Sequence, residues 1–249
     1  MFVAASTDCF PELPLRDALG KLVDLEYTGV EIAMRENGVQ LAPSQVAQDV
    51  DATIDICRDT YRLDVVAYAA YIEAQGEEYF SQFEAICKLA KATKVVTIAI
   101  PSGELGTPFN EEVEKLRRLV AIAEQQGARV AMMTHIGCLA EDPDTITVLC
   151  DNVKGLGITL DPSHFIAGPH RKKNYEKLMK YVYHVHLRDT SKDRLQVRVG
   201  QGEVEYGRLV TLLEQVRYDR ALCVHIPPME EVDHYGELRK MRLLLESLL

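Results

Sequence analysis

Tryptophan is absent from this 249-residue sequence, and aromatic side chains of every kind make up only 7% of it. Any core must therefore be built from aliphatic side chains, which a hydrophobic content of 47% supplies. No apolar run approaches the roughly 18 residues that a membrane-spanning helix needs. The opening stretch MFVAASTDCFPELP lacks the basic start and long apolar segment of a signal peptide. The six cysteines (Cys9, Cys57, Cys87, Cys138, Cys150 and Cys223) include no Cys-x-x-Cys pair. Most lie in apolar runs, so they read as small buried thiols of a reducing, cytoplasmic protein rather than as a disulfide framework. Basic residues are the minority, 28 Lys and Arg against 38 Asp and Glu, for a net charge of −10. Phosphate backbones and anionic membranes need clustered cations, so neither nucleic acid nor membrane is an expected partner. The nearest basic cluster, His170 to Lys173, reads as a solvated loop.

What is present is a rhythm. Short apolar runs (FVAAS, GVEIAM, LDVVAYAAYI, KVVTIAI, ARVAMM, LGITL, VYHVHL, ALCVHI) alternate with segments of helical spacing. The runs are rich in Val, Ile and Ala and are too short for buried helices, which suits strands covered on both faces. PLRDALGKLVDLEYTG places Leu15, Leu19, Leu22 and Leu25 on one stripe. NEEVEKLRRLVAIAEQQG opens with an Asn cap and an acidic turn and ends at Gly127. SQVAQDVDATIDICRDTYR and EEYFSQFEAICKLAKATK read as helices in the same way. Eight such units without a linker predict a single (β/α)8 TIM barrel over residues 1–249. An open doubly wound sheet would show a glycine-rich turn after its first strand, where this chain has STDCFPELP. The last helix, GELRKMRLLLESLL, turns its apolar stripe either to the barrel or to a partner in a homodimer.

A barrel of this type builds its site where the strands end. The strand ends here carry His135, Asp161, His164, His184, His186, Arg188 and His225. Imidazoles with a carboxylate are a common ligand set for zinc, manganese, iron or cobalt. Alternation along YHVHLRD points His184, His186 and Arg188 to one side. A lone strand histidine is usually a hydrogen-bonded core residue, and it is the convergence of several with an aspartate that points to a metal.

At these residues the chain resembles the xylose isomerase-like barrels, a superfamily of sugar isomerases and epimerases, hydroxypyruvate isomerase, inosose dehydratase and endonuclease IV. The likeness is carried by LGKLVDLEYTGVEI, LDPSH, HVHLRD and VGQGEVEYGRLV, in order along the whole chain. It implies a divalent metal held by Asp161 and His186, with His164 beside it and Arg188 in place of the usual Lys to orient the substrate. Two family glutamates are replaced, one by Met133 (or Thr134 in a shifted register) and one by His225. The ligand set then becomes Asp161, His186 and His225, which favours zinc, manganese or iron over magnesium. His135 is a candidate for the vacant strand-five position. Strand three has no histidine and the chain is acidic, which argues against nuclease activity.

Glu31 either serves the site, holding a substrate hydroxyl or a cation, or pairs structurally with an arginine such as Arg35. Tyr68 and Tyr71 either wall a small-molecule pocket or pack against helices. The expected activity is a metal-dependent isomerase, epimerase or lyase acting on a small sugar, polyol or keto acid. His164 or His135 moves the proton and Arg188 orients the substrate. The alternatives are a barrel that binds a small molecule without turnover and a hydrolase using zinc-bound hydroxide.

Overall fold

Each of the eight apolar runs supplies a strand: β1 (Phe2–Ser6), β2 (Gly29–Arg35), β3 (Asp64–Tyr71), β4 (Thr97–Pro101), β5 (Arg129–Met133), β6 (Gly157–Leu160), β7 (Val182–Leu187) and β8 (Ala221–Val224). The computed structural model describes residues 1–249 and joins these strands, all parallel and in chain order, into a closed barrel. Closure is made by β1 against β8, with Phe2 to Ala5 opposite Ala221 to Val224.

The period of two along each strand sorts its side chains. One set, including Val30, Ile32, Ile98, Ile100, Val130, Met132, Val185, Leu187, Leu222 and Val224, joins the helices in a cluster of 62 buried residues. The main core is thus the layer between sheet and helices. The other set faces the barrel axis, where Ala33, Ala69, Ala99 and Met133 form a small separate apolar cluster. The rest of the axis is polar. Near its N-terminal end, Gly157 faces the ring of Tyr183, and a Cβ at that position would lie 2.2 Å from the ring. Only glycine leaves space for the tyrosine there.

The helices α1 (Leu15–Asp24), α4 (Gly76–Thr93), α5 (Phe109–Gln125), α6 (Pro143–Asn152), α8 (Tyr206–Gln215) and α9 (His234–Glu246) cover the sheet. Three details depart from the sequence reading. The segment from Ser44 to Arg62 is two helices, α2 (Pro43–Gln48) and α3 (Val50–Arg58), because Asp49 leaves the helical conformation and caps the second through the amide of Ala52. Helix α5 begins at Phe109, so Asn110 lies inside it rather than capping it. Between β6 and β7 there is only the single turn α7 (Ser163–Ile166) and a 3-10 segment (Glu176–Tyr181). In α9 the buried residues Leu238, Met241 and Leu245 belong to the barrel core, so this stripe is spent within the chain. No helix is long and apolar enough to cross a membrane.

Candidate active site

The C-terminal ends of the strands hold a continuous chain of hydrogen-bonded polar side chains. It starts at Asp8, in the 3-10 turn Thr7–Cys9 that follows β1. Arg35, the last residue of β2, grips Asp8 with Nε at 3.0 Å from Oδ1 and Nη2 at 2.7 Å from Oδ2. The same guanidinium lies 3.5 Å over the centre of the Tyr71 ring. His225 Nε2 reaches Asp8 Oδ2 at 3.3 Å, and its Nδ1 faces Arg188 Nη2 at 2.7 Å. Arg188 Nη2 also donates to Asp161 Oδ2 at 2.9 Å. Asp161 Oδ1 accepts from the amide of Ser163 at 3.0 Å and from the Ser163 hydroxyl.

An arginine can only donate, so His225 must accept at Nδ1 and carry its proton on Nε2, toward Asp8. Burial pushes the pKa of His225 down, in keeping with that neutral form. Burial alone would raise both carboxyl groups. For Asp161 the charge of Arg188 and the hydrogen bond from Ser163 overcome it, and for Asp8 the hydrogen bonds from His225 and Arg35 do so. Both acids stay ionised well below the usual carboxylate range.

Below this rim a second group fills the barrel axis. Glu31 of β2 is completely buried, and its Oε2 meets His184 Nε2 at 2.9 Å and His186 Nε2 at 2.7 Å. The partner Oε1 of the same carboxylate is buried without any hydrogen bond. Burial would raise Glu31, but the charge of His186 and hydrogen bonds from both imidazoles hold it well below the usual range. His186 is lifted because Glu31 outweighs its burial, whereas burial prevails for His184. The His186 ring stacks on His225 at 4.6 Å, joining the two groups. Cys223 of β8 completes the lower one. Donor atoms of Glu31, His184, His186 and Cys223 all lie within 4.8 Å of one another.

This arrangement corrects several expectations. The ligand set Asp161, His186 and His225 is not assembled around one point. Arg188 Nη2 stands within hydrogen-bond distance of both Asp161 and His225, and His186 turns its Nε2 to Glu31. A divalent ion at the rim would face a fixed guanidinium, with one carboxylate left to offset it. The rim donors therefore do not fit a metal. Glu31 pairs with histidines and not with Arg35, which belongs to Asp8. Tyr68 faces the helices, with its hydroxyl 2.8 Å from Thr93 Oγ1 of α4, and is no pocket wall. His135 does not replace the strand-five ligand, because β5 stops at Met133 and the alternation ends there. It lies exposed at the rim, its ring 4.6 Å from that of His164.

The partners of these two histidines fix their tautomers. The amide of Ile136 must donate, so His164 Nδ1 accepts at 3.2 Å and Nε2 carries the proton, 3.6 Å from Asp161 Oδ2. The carbonyl of Ile136 must accept, so His135 Nδ1 donates at 2.6 Å and leaves the Nε2 lone pair free. Burial lowers the His164 pKa to about 4, the ring being 3% exposed. An unfolded His164 would protonate near 6.5. Between those values the unfolded chain binds a proton that the folded one refuses, so stability falls as pH drops from about 6.5 to about 4. At pH 4.5 this group should cost roughly 2 to 3 kcal/mol relative to pH 7. Urea denaturation at both pH values is expected to show His164→Asn losing that much less than the native protein, and equal losses would refute the assignment.

Asp189 shapes the loop above the rim. Its Oδ1 accepts from the amide of Thr190 at 3.0 Å, and its Oδ2 from those of Gly200 at 2.8 Å and Gly202 at 3.0 Å. Gln196 Nε2 donates to the carbonyl of Pro227 at 2.7 Å, tying the loop to the segment after β8.

Asp8 and Cys223 were not singled out by sequence. Asp8 lies in the STDC segment just after the first strand, which carries no sequence signal beyond its lack of glycine. Cys223 lies two residues before His225, so the period of two that grouped His184 with His186 places it on the axis as well.

A family model described as Xylose isomerase-like TIM barrel matches residues 19–244. No curated protein matches the chain. Among solved structures, a probable 3-DHS dehydratase, AsbF, of Bacillus anthracis is 16% identical with a TM-score of 0.76, covering 99% of each chain. A D-allulose 3-epimerase from Methylomonas sp., in complex with D-allulose, is 14% identical with a TM-score of 0.76, over 100% of this chain and 97% of that one. A xylose isomerase-like barrel from Mycobacterium smegmatis, in complex with magnesium, is 14% identical with a TM-score of 0.78, over 99% and 97%. At such identities the likeness shows a shared fold.

Proposed function

Because the chain belongs to the xylose isomerase-like TIM barrel family, we propose that it is an enzyme of the isomerase, epimerase or lyase type. Its substrate is a small sugar, polyol or keto acid bound at the C-terminal face of the barrel. The observation that carries this reading is Arg188. It is 8% exposed, fixed by Asp161 and His225 through one nitrogen, and its Nε has no partner. A buried guanidinium with donors to spare is suited to a substrate oxygen on which negative charge develops.

Proton transfer beside a carbonyl also needs a base near the same oxygen. His135 has the free lone pair, while His164 has its own taken by the amide of Ile136. We therefore assign proton movement to His135 Nε2. His164 packs against it with the two rings tilted at 40°, and presents its N–H toward Asp161.

The test is solvent deuterium exchange. Sugars, polyols and keto acids are incubated with the protein in heavy water, and label at the carbon beside the carbonyl is followed by NMR. Exchange or conversion of at least one compound is expected, slowed about 10²- to 10⁴-fold in His135→Asn. Binding without exchange for every compound would mean that the missing glutamates left a binding protein.

A further inference from the structure

The interior group bears on a different question from the rim. His184 and His186 come from one face of β7, and Cys223 is the register partner of His186 on β8. Glu31 approaches from β2 on the other side of β1. All four are at least 96% buried. We propose that Glu31, His184, His186 and Cys223 form a zinc site inside the barrel, separate from the rim where the reaction is placed.

Three observations carry it. The first is donor chemistry: one carboxylate, two imidazoles and one thiol make four ligands of the types that zinc takes. The second is spacing. Ligand atoms of a tetrahedral zinc site lie about 3.3 to 3.7 Å apart. Here they lie within 4.8 Å, with the two imidazole nitrogens already 2.9 and 2.7 Å from Glu31 Oε2. Side-chain adjustments of about an ångström convert one arrangement into the other. The third is the unpartnered Oε1 of Glu31, a fully buried carboxylate oxygen that no N–H or O–H in the chain reaches. Hydrogen bonding satisfies one side of this anion and leaves the other bare. A cation drawing on the carboxylate removes that defect.

Metal capture releases the thiol proton, and each imidazole keeps a single proton, on Nδ1, so that the Nε2 lone pair turns to the ion. A cavity of about 380 Å³ at the N-terminal end of the barrel reaches His184, and Asp64 and Asp219 line it as well as Lys94 and Arg220.

The experiment uses untagged full-length protein, unfolded with chelator and refolded with or without zinc. Metal is measured by mass spectrometry after dialysis. The zinc-refolded protein is expected to retain one zinc per chain. Cys223→Ser and His184→Ala are expected to retain at least tenfold less, and Asp161→Asn a full complement. Cobalt in place of zinc should give a near-ultraviolet thiolate-to-metal absorption that Cys223→Ser lacks. This spectrum is read on the native chain and stands even where a variant folds poorly. Zinc-free protein after refolding with zinc would overturn the proposal, as would cobalt bound without the thiolate band. So would zinc that survives in Cys223→Ser but is lost in Asp161→Asn. Deuterium exchange at the rim is recorded separately, so failure of the metal site and failure of the enzymatic reading remain distinct.

Discussion

Arg188→Met is expected to destabilise the protein by about 3 to 5 kcal/mol and to abolish any conversion of substrate. The stability effect follows from what the arginine leaves behind. Asp161 is 2% exposed, and Arg188 supplies its salt bridge. Removing one partner of a buried pair leaves an uncompensated charge, and the cost is commonly about 3 to 5 kcal/mol. The pH dependence should move with it. In the native protein Asp161 is held below its ordinary 3.8, so its contribution is present above that value and is lost as pH falls through the lower folded one. Without Arg188 the carboxyl group rises and the loss begins at higher pH. Denaturant melts of Arg188→Met, Asp161→Asn and the double variant separate the pair from its surroundings. The double variant should recover much of the single loss, because an amide tolerates what a bare carboxylate does not. A loss under 1 kcal/mol in Arg188→Met would show that water reaches Asp161, and the picture of a guanidinium fixed at the rim would fail.

The second large effect is expected at Asp189. One buried carboxylate accepts three backbone amides, at Thr190, Gly200 and Gly202, and so closes the loop over residues 190–202. Hydrogen bonds to a charged group contribute roughly 1.5 to 3 kcal/mol each, and loss of the whole set is partly relieved when the loop opens to water. Asp189→Ala should therefore cost about 2 to 4 kcal/mol. Gly202→Val should act in the same direction without touching the acid, because a Cβ there would lie 2.0 Å from Asp189 Oδ1. Both variants are expected to show faster amide exchange at 190–202 and new protease cleavage within the loop. Unchanged exchange would mean that Gln196 and the segment after β8 hold the loop unaided.

The barrel was legible because its signals are periodic. Alternation along YHVHLRD placed His184, His186 and Arg188 on the axis, where they are found. The pairing of charges was not legible. Whether Asp161 meets a metal or Arg188, 27 positions away, depends on the reach of a flexible guanidinium. The strand register does not decide it. His135 shows the limit from the other side, because extending the alternation two residues past Met133 continued a strand that had ended. Tyr68 and Tyr71 lie three apart, so they point to opposite faces. The sequence did not say which face was the axis, and Ala69 with Tyr71 beside it now does.

The closure of the sheet has a consequence for the order in which this protein is made. Seven of the eight strand pairings join neighbours along the chain, and only β8 with β1 brings the two ends together. The polar contacts follow another rule: Asp8 to His225 spans 217 positions and Glu31 to His186 spans 155. A nascent chain that has paired β1 through β7 already owns most of its aliphatic layer but has neither Cys223 nor His225. The first two strands bring the acids Asp8 and Glu31, and the last two bring the histidines that answer them, His184, His186 and His225. The site is thus the last thing folding completes. Until β7 arrives, Glu31 stands open to water, where being charged costs little, and Asp8 has Arg35 but waits for His225.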